Sequence, residues 1–291
     1  FQMLHGTYGT LGIISKLTFK LIPAKPFIKL THELYNSLES YNAAIWQHFQ
    51  NQDIDFMDGI IHSPTQYALC IANFVDTAPY THNYNWTKVY FESTKKLKED
   101  FLKTSDYFFR YEQGVTSVFP KSFLGRLLFG KFTTSSSVLR IAEKFHHLLS
   151  ENHIPVNMDL FIPFSKVKDF FEWYNKEINF YPLWCAPYKV PHNYEWLSEE
   201  FFQKSPDKLF LDIAIYGLPK KEGKNYYRIL EEKLMEIGGV KGLLSNSYYS
   251  ESEFWKIWNK KNYDQIKTQT DPHNIFRNLY TKMCKTMRGL E

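Results

Sequence analysis

The 291-residue chain has only three cysteines, Cys70, Cys185 and Cys284, far apart and without a CxxC pair. An odd, scattered set of this kind excludes a disulfide framework and a thiolate metal site, and it points to a reduced, intracellular setting. No apolar run approaches 18 residues, the length of a membrane span, and the opening Phe1-Gln2-Met3-Leu4-His5-Gly6 has no charged leader pattern. An excess of charge of one sign is lacking too. Lys and Arg number 35 against 31 Asp and Glu, interleaved rather than blocked, and the net +4 removes the electrostatic case for a nucleic-acid binder. No P-loop, GxSxG or HExxH string occurs, and no His/Cys/Asp/Glu set stands at metal-ligand spacing. What is abundant is aromatic: 7 Trp, 20 Tyr and 25 Phe, or 18% of the residues. The length suits about two domains at roughly 150 residues each, or one large one.

Gly6-Thr7-Tyr8-Gly9-Thr10-Leu11-Gly12 is a glycine-rich turn that runs into residues 13–22. There Leu17, Phe19 and Leu21 alternate with Thr18 and Lys20, the period of a half-buried strand. Such a strand needs a sheet, so residues 1–25 read as the end of a domain whose other strands lie upstream. Further strands are expected over 27–33, 54–62 and 66–75, with a helix over 37–50 and a hairpin at Ser63-Pro64-Thr65. The second half repeats the order of elements, with strands over 157–162, 181–190, 209–216 and 242–248. Its first helix is N-capped by Ser165 and carries Val167, Phe170, Phe171 and Tyr174 on one face. Its second is marked by Tyr227, Leu230, Leu234 and Ile237 and stopped by Gly238-Gly239. This order predicts an α+β fold, a ferredoxin-like antiparallel sheet flanked by helices. Residues 84–132 fit neither half. They hold a basic helix over 87–103, the cluster Tyr107-Phe108-Phe109-Arg110-Tyr111, and an apolar stretch over 119–132 interrupted by Lys121, Arg126 and Lys131. A helix follows over 137–150, with Val138, Ala142, Phe145 and Leu149 on one face. Helical segments over 251–258 and 263–270, a turn at 271–276 and a basic tail complete the sequence.

Several strings then stand in a telling order: Gly9-Thr10-Leu11-Gly12, Ile22-Pro23-Ala24-Lys25, Asp58-Gly59-Ile60, Leu128-Phe129-Gly130, and Tyr181-Pro182-Leu183-Trp184-Cys185-Ala186-Pro187-Tyr188. Leu211-Asp212-Ile213-Ala214-Ile215-Tyr216-Gly217, Glu253-Phe254-Trp255 and Phe276 with Leu279-Tyr280-Thr281-Lys282 follow. Together they resemble the flavin-dependent delta-24-sterol reductases (diminuto/seladin proteins) of the vanillyl-alcohol oxidase and p-cresol methylhydroxylase (PCMH) superfamily. The resemblance implies an FAD-binding domain, of which residues 1–25 hold the last strand, a cap domain over 26–262, and a segment over 263–291 that returns to the FAD domain. It also implies FAD as cofactor, NADPH as electron donor, and a sterol as substrate. The glycine turn would lie against FAD, with Gly9, Thr10 and Gly12 offering backbone N–H groups, Ile13 and Ile14 as neighbours, and His5 close by. Read without the resemblance, the same glycines are an ordinary tight turn.

Reducing an isolated alkene requires a proton for one carbon and hydride for the other, in a dry site whose π-faces stabilise developing positive charge. Arg110 and Tyr111 are candidates for the catalytic donors, against the alternative of a surface ion pair with Glu112. Tyr248, beside Tyr249, is a third, against plain strand packing. Trp184 and Tyr188, bracketed by Pro182 and Pro187, suit a rigid substrate wall. His146 and His147 read as solvated. The stretch 119–132 suits peripheral membrane contact, apolar groups entering the lipid while cations meet phosphates, at the cytosolic face of the endoplasmic reticulum in a eukaryote; a helix buried beneath the sheet is the other reading. The functional alternatives are a flavin oxidase or dehydrogenase acting on another lipid or alcohol, and a non-catalytic sterol- or partner-binding module.

Overall fold

In β1 (Phe27–Tyr35), Ile28, Leu30 and His32 are buried while the residues between them are less so, and this period-2 pattern commits the strand to a sheet. The computed structural model describes residues 2–51, 54–114, 120, 122–144 and 155–289. Its strands β1, β2 (Phe56–Ser63), β3 (Gln66–Val75), β4 (Glu99–Lys103), β5 (Val156–Pro163), β6 (Leu183–Lys189), β7 (Leu209–Leu218) and β8 (Val240–Lys241) form one antiparallel sheet. The order is β4-β1-β3-β2-β6-β7-β5-β8. The half β4-β1-β3-β2 reappears reversed as β8-β5-β7-β6, and the halves join where β2 meets β6. The repetition of elements visible in the sequence is thus a repetition in space.

One face of the sheet carries α1 (Leu38–Asn51), α6 (Val167–Glu177) and α8 (Tyr226–Ile237). The odd-numbered residues of β7, Leu209 to Ile215, meet Phe170, Tyr174, Leu230 and Leu234 there in the main core. Full burial of each such residue contributes about 1.5–3 kcal/mol. α8 begins at Asn225, whose side-chain oxygen accepts from the Arg228 N–H, and ends at Gly238 in the left-handed region (φ 78°). Ser165 does not cap α6. Its N–H and hydroxyl donate to Asp207 instead, and residues 164–166 form a 3-10 turn.

The opposite face divides in two. Over the first half, α2 (Tyr90–Ser93), α3 (Thr104–Phe108) and their flanking loops lay Tyr84, Tyr90 and Tyr107 on Ile28, Leu30 and Cys70. α4 (Phe123–Phe129) and α5 (Ser135–Lys144) follow at the periphery. Beside the second half, α7 (Glu199–Lys204), α9 (Glu251–Ile257) and α10 (Lys260–Thr270) pack Phe254, Trp258 and Tyr263 with Met3, Leu11 and Phe210. Beneath them, Lys241 Nζ meets Glu231 at 2.9 Å, both side chains fully buried.

Three expected elements differ. Residues 13–22 form no strand: Phe19 is 72% and Leu21 84% exposed, and among the described residues nothing pairs with them. Alternation makes a strand only where a neighbour accepts its backbone hydrogen bonds. Residues 87–103 are not one helix. They break after α2 and finish as β4, because Phe101 and Leu102 pair with β1 at the sheet edge. The strand expected over 242–248 shrinks to β8, after which the backbone turns so that Tyr248 N–H donates to Glu231. The expected helix over 137–150 is described only to Lys144; Phe145, His146, His147 and Leu149 lie outside the described residues, as do Phe119 and Lys121.

Candidate functional site

Asp58 stands in the middle of β2 on the face away from α1 and is almost fully buried. A lone carboxylate among Met57, Gly59, Ile60 and Ile61 is costly to desolvate unless several donors meet it. Three do. Its Oδ2 accepts from Arg110 Nη2 at 2.7 Å, Tyr111 Oη at 2.6 Å and Trp184 Nε1 at 2.9 Å. The Arg110 guanidinium also lies over Tyr107, 3.8 Å from the ring centroid, and donates to the Tyr107 carbonyl. Burial opposes the guanidinium's charge, but Asp58 beside it outweighs this and holds Arg110 well above its ordinary range. Burial and Asp58 push Tyr111 far up, so the phenol keeps its proton and directs it at the carboxylate.

Along the same face, Trp184, Ala186 and Tyr188 of β6 alternate outward, beside Phe210, Asp212, Ala214 and Tyr216 of β7 and Asp159 and Phe161 of β5. Register places Trp184 opposite Ala214, and Asp212 between Ala186 and Phe161. Tyr216 Oη donates to Asp159 Oδ1 at 2.6 Å, and Tyr188 meets Phe161 edge to face at 5.3 Å. Asp212 is 3% exposed and its Oδ1 has no partner. Burial, reinforced by the charge of Asp159 and opposed by the Leu160 backbone, raises its carboxyl to about 8. Tyr188, by contrast, is 46% exposed on this face.

The glycine turn borders this surface. Gly6, Tyr8 and Gly9 all have φ between 49° and 72°, a left-handed succession that favours glycine, and the Tyr8 ring is half-buried near Leu243 and Asp159. Two lysines of the C-terminal segment fasten the turn: Lys282 Nζ donates to Tyr8 O at 2.6 Å and Lys267 Nζ to Thr10 O at 2.7 Å. Lys267 also meets Asp271 Oδ2, so α10 and the turn share one buried cation. Gly12, at φ 148°, has open space where a side chain would begin, and Ile13 and Ile14 after it are exposed. With Thr7, Thr10 and Leu11 turned inward and open space at Gly12, the turn leaves room beside the aromatic rings for close approach by a flat heteroaromatic group such as a flavin ring.

Of the residues singled out by sequence, Arg110, Tyr111 and Trp184 come together on Asp58. Trp184 and Tyr188 share one strand face. Gly9, Gly12, Ile13 and Ile14 lie in or beside the turn, whereas Thr10 is buried within it and donates to the Thr7 carbonyl. His5 lines a recess of about 10 Å³ with Trp196, Trp255 and Trp258. Tyr248 stacks on Tyr227, 6.2 Å between centroids, in a separate cleft with Lys220 and Lys224. Sequence reasoning gives no site role to Asp58, Asp159, Asp212 or Tyr216. A signal for two of them is present all the same: a carboxylate inside an apolar strand, as in Phe210-Leu211-Asp212-Ile213-Ala214.

An eight-stranded antiparallel sheet flanked by helices, with an aromatic, carboxylate-bearing patch on one face, is compatible with a cap domain. No family model matches the sequence. Its similarity is to Delta(24)-sterol reductases: 23% identity to that of Homo sapiens over 99% of this chain, and 24% to that of Pisum sativum over 100%. The Delta(24)-sterol reductase homolog of Caenorhabditis elegans is 20% identical over 99% of this chain. The aligned part makes up 59% of each of these relatives, so the chain spans about three fifths of their length.

Proposed function

We propose that the chain is the substrate-covering part of an FAD-dependent oxidoreductase that reduces a C=C bond in the side chain of a sterol, with NADPH as the source of electrons. The observation that carries this reading is the sheet face on which Trp184, Tyr188 and Tyr216 surround a buried carboxylate beside the glycine turn. The similarity to sterol reductases along almost all of these residues supports it. In this reading residues 1–25 and 263–291 serve the FAD-binding part, and residues 26–262 form the cap. When bound, reduced flavin supplies hydride. The protein's own residues do the rest. The rings of Trp184, Tyr188 and Tyr216 offer π-faces to positive charge developing at the tertiary carbon, each worth about 0.5–2 kcal/mol depending on desolvation. The Asp58–Arg110 pair holds the Trp184 indole by its N–H and keeps the ring from turning. Ile13, Ile14 and Gly12 give the turn an apolar, side-chain-poor edge from which water is readily displaced.

α4 supports an entry route for so apolar a substrate. No residue of α4 is buried: Phe123, Leu124, Leu127, Leu128 and Phe129 are exposed, with Phe132 beyond them, while Arg126 and Lys131 lie between. The helix is held by its backbone, Trp86 Nε1 donating to the Leu127 carbonyl, which leaves the side chains outward. No helix among the described residues is long and apolar enough to cross a membrane, so α4 would rest in the interface, as at the cytosolic face of the endoplasmic reticulum. Binding to anionic vesicles at low salt, lost when Leu127 and Leu128 both become Glu, is expected; wild-type protein that ignores such vesicles contradicts this contact. The oxidoreductase reading is tested by the absorbance of the complete protein. An oxidised-flavin spectrum bleached by NADPH is expected, whereas a colourless folded protein that still binds sterol would support a binding module instead.

A further inference from the structure

We propose that Asp212 delivers the proton that completes the reduction, and that Tyr216 and Asp159 connect it to solvent; this rests on the oxidoreductase reading above. The geometry singles Asp212 out. It is buried on the face of β7 that carries the aromatic patch, with Phe161 opposite it on β5 and Phe210 before it along the strand, while the small Ala186 opposite it on β6 and Ala214 after it leave the side toward Trp184 without a long side chain next to it. Its Oδ1 meets no donor, and a buried carboxylate oxygen without a partner is unfavourable unless another molecule completes it; Asp58 Oδ1 lacks a donor too, but that carboxylate is ion-paired with Arg110. Three other polar groups near the face are committed. Tyr111 Oη and Trp184 Nε1 donate to Asp58, and Tyr216 Oη donates to Asp159. The Tyr188 phenol is more exposed, but burial holds its proton above the ordinary phenol range, so the stronger acid on this face is Asp212.

The titratable groups facing it agree. Asp159 from β5 adds its charge to burial in keeping the proton on Asp212 up to about pH 8. Tyr188 from β6 and Tyr216 from β7 are both raised, chiefly by burial, and retain their own protons. Tyr8 from the turn is raised by burial as well. An isolated alkene is a poor base, so proton and hydride transfer run together. The O–H bond of Asp212 breaks, and the π pair forms a C–H bond at the less substituted carbon. The tertiary carbon takes hydride, two electrons, which reduced flavin would supply when bound. The Asp212 carboxylate left beside Asp159 then regains a proton from water by way of Asp159 and Tyr216, which donates to Asp159 and is 38% exposed.

The test uses the complete, flavin-loaded protein and the variants Asp212→Asn and Tyr216→Phe, with a side-chain-unsaturated sterol. The expected result for Asp212→Asn is unchanged flavin reduction by NADPH but sterol-dependent reoxidation slowed on the order of 10²–10⁴-fold, the range for loss of a general acid. Tyr216→Phe should slow reoxidation less and weaken its dependence on solvent deuterium. A readout independent of turnover is the infrared carboxyl stretch of the oxidised protein, which should show a protonated carboxyl at pH 7 that disappears in Asp212→Asn and titrates near pH 8. Wild-type protein that reduces sterol while Asp212→Asn keeps its reoxidation rate, or an infrared spectrum without that band, overturns the assignment to Asp212. Wild-type protein that binds no flavin overturns the oxidoreductase reading instead, and the infrared band alone then decides whether Asp212 holds its proton.

Discussion

Replacing Arg110 by Met leaves the Asp58 carboxylate buried without its cation, and the size of the loss follows from what the guanidinium does. Its Nη2 lies 2.7 Å from Asp58 Oδ2, with both side chains under a tenth exposed. It also donates to the Tyr107 carbonyl and sits over the rings of Tyr107, Tyr111 and Tyr90. Breaking such a buried pair on one side costs about 3–5 kcal/mol, most of it the uncompensated charge. Asp58→Asn should cost a similar amount, since it strands the arginine instead. The double variant leaves neither charge unpaired and should be less destabilised than the sum of the singles by at least about 2 kcal/mol. Equilibrium urea unfolding of the four proteins, followed by the fluorescence of their tryptophans, gives this coupling. Additive losses, or an Arg110→Met loss below about 1 kcal/mol, would refute the view that the pair is what holds Trp184 on the sheet face.

Lys241→Met should cost about 3–5 kcal/mol in urea unfolding, because it leaves Glu231 fully buried with only the Tyr248 N–H for company. Gly59→Ala should cost about 1–3 kcal/mol or more: the added Cβ would lie 2.2 Å from Tyr41 Oη and 2.7 Å from the Ala68 carbonyl, the latter fixed in β3. Asp212 sets a pH dependence. Its carboxyl rises from 3.8 to about 8 on folding, so its stabilisation is complete below about pH 4 and is lost as pH climbs through 8. The span corresponds to on the order of 5 kcal/mol. Melting curves between pH 5 and 9 should therefore fall more steeply for the wild type than for Asp212→Asn; parallel curves would contradict the raised carboxyl.

Patterning made the sheet legible because short, largely apolar runs bounded by turn residues read as strands, and those over 66–75 and 209–216 are β3 and β7, buried on both faces. Residues 13–22 keep their alternation but pair with nothing among the described residues; the pattern misled at 87–103, where many lysines imitate a helix face although Phe101 and Leu102 belong to a sheet edge. The site was legible only in part. Arg110 and Tyr111 stood out in an aromatic run outside the repeated pattern and Trp184 in a strand bracketed by prolines, but they are separated by up to 74 positions and nothing local says that they share Asp58. Asp58 and Asp212 were hidden because a single acidic residue in an apolar run is easily absorbed into the strand pattern. Their meaning lies in which face the sheet turns them to, and that depends on pairings between strands far apart in the sequence.

Steady-state turnover of the complete protein, supplied with NADPH and either a side-chain-unsaturated sterol or its saturated counterpart, tests the proposed activity most directly. Consumption of the unsaturated sterol with matching formation of the saturated one, and no reaction of the latter, is the expected result. A flavin-loaded protein that leaves the side-chain double bond intact while oxidising an alcohol or another lipid would contradict it.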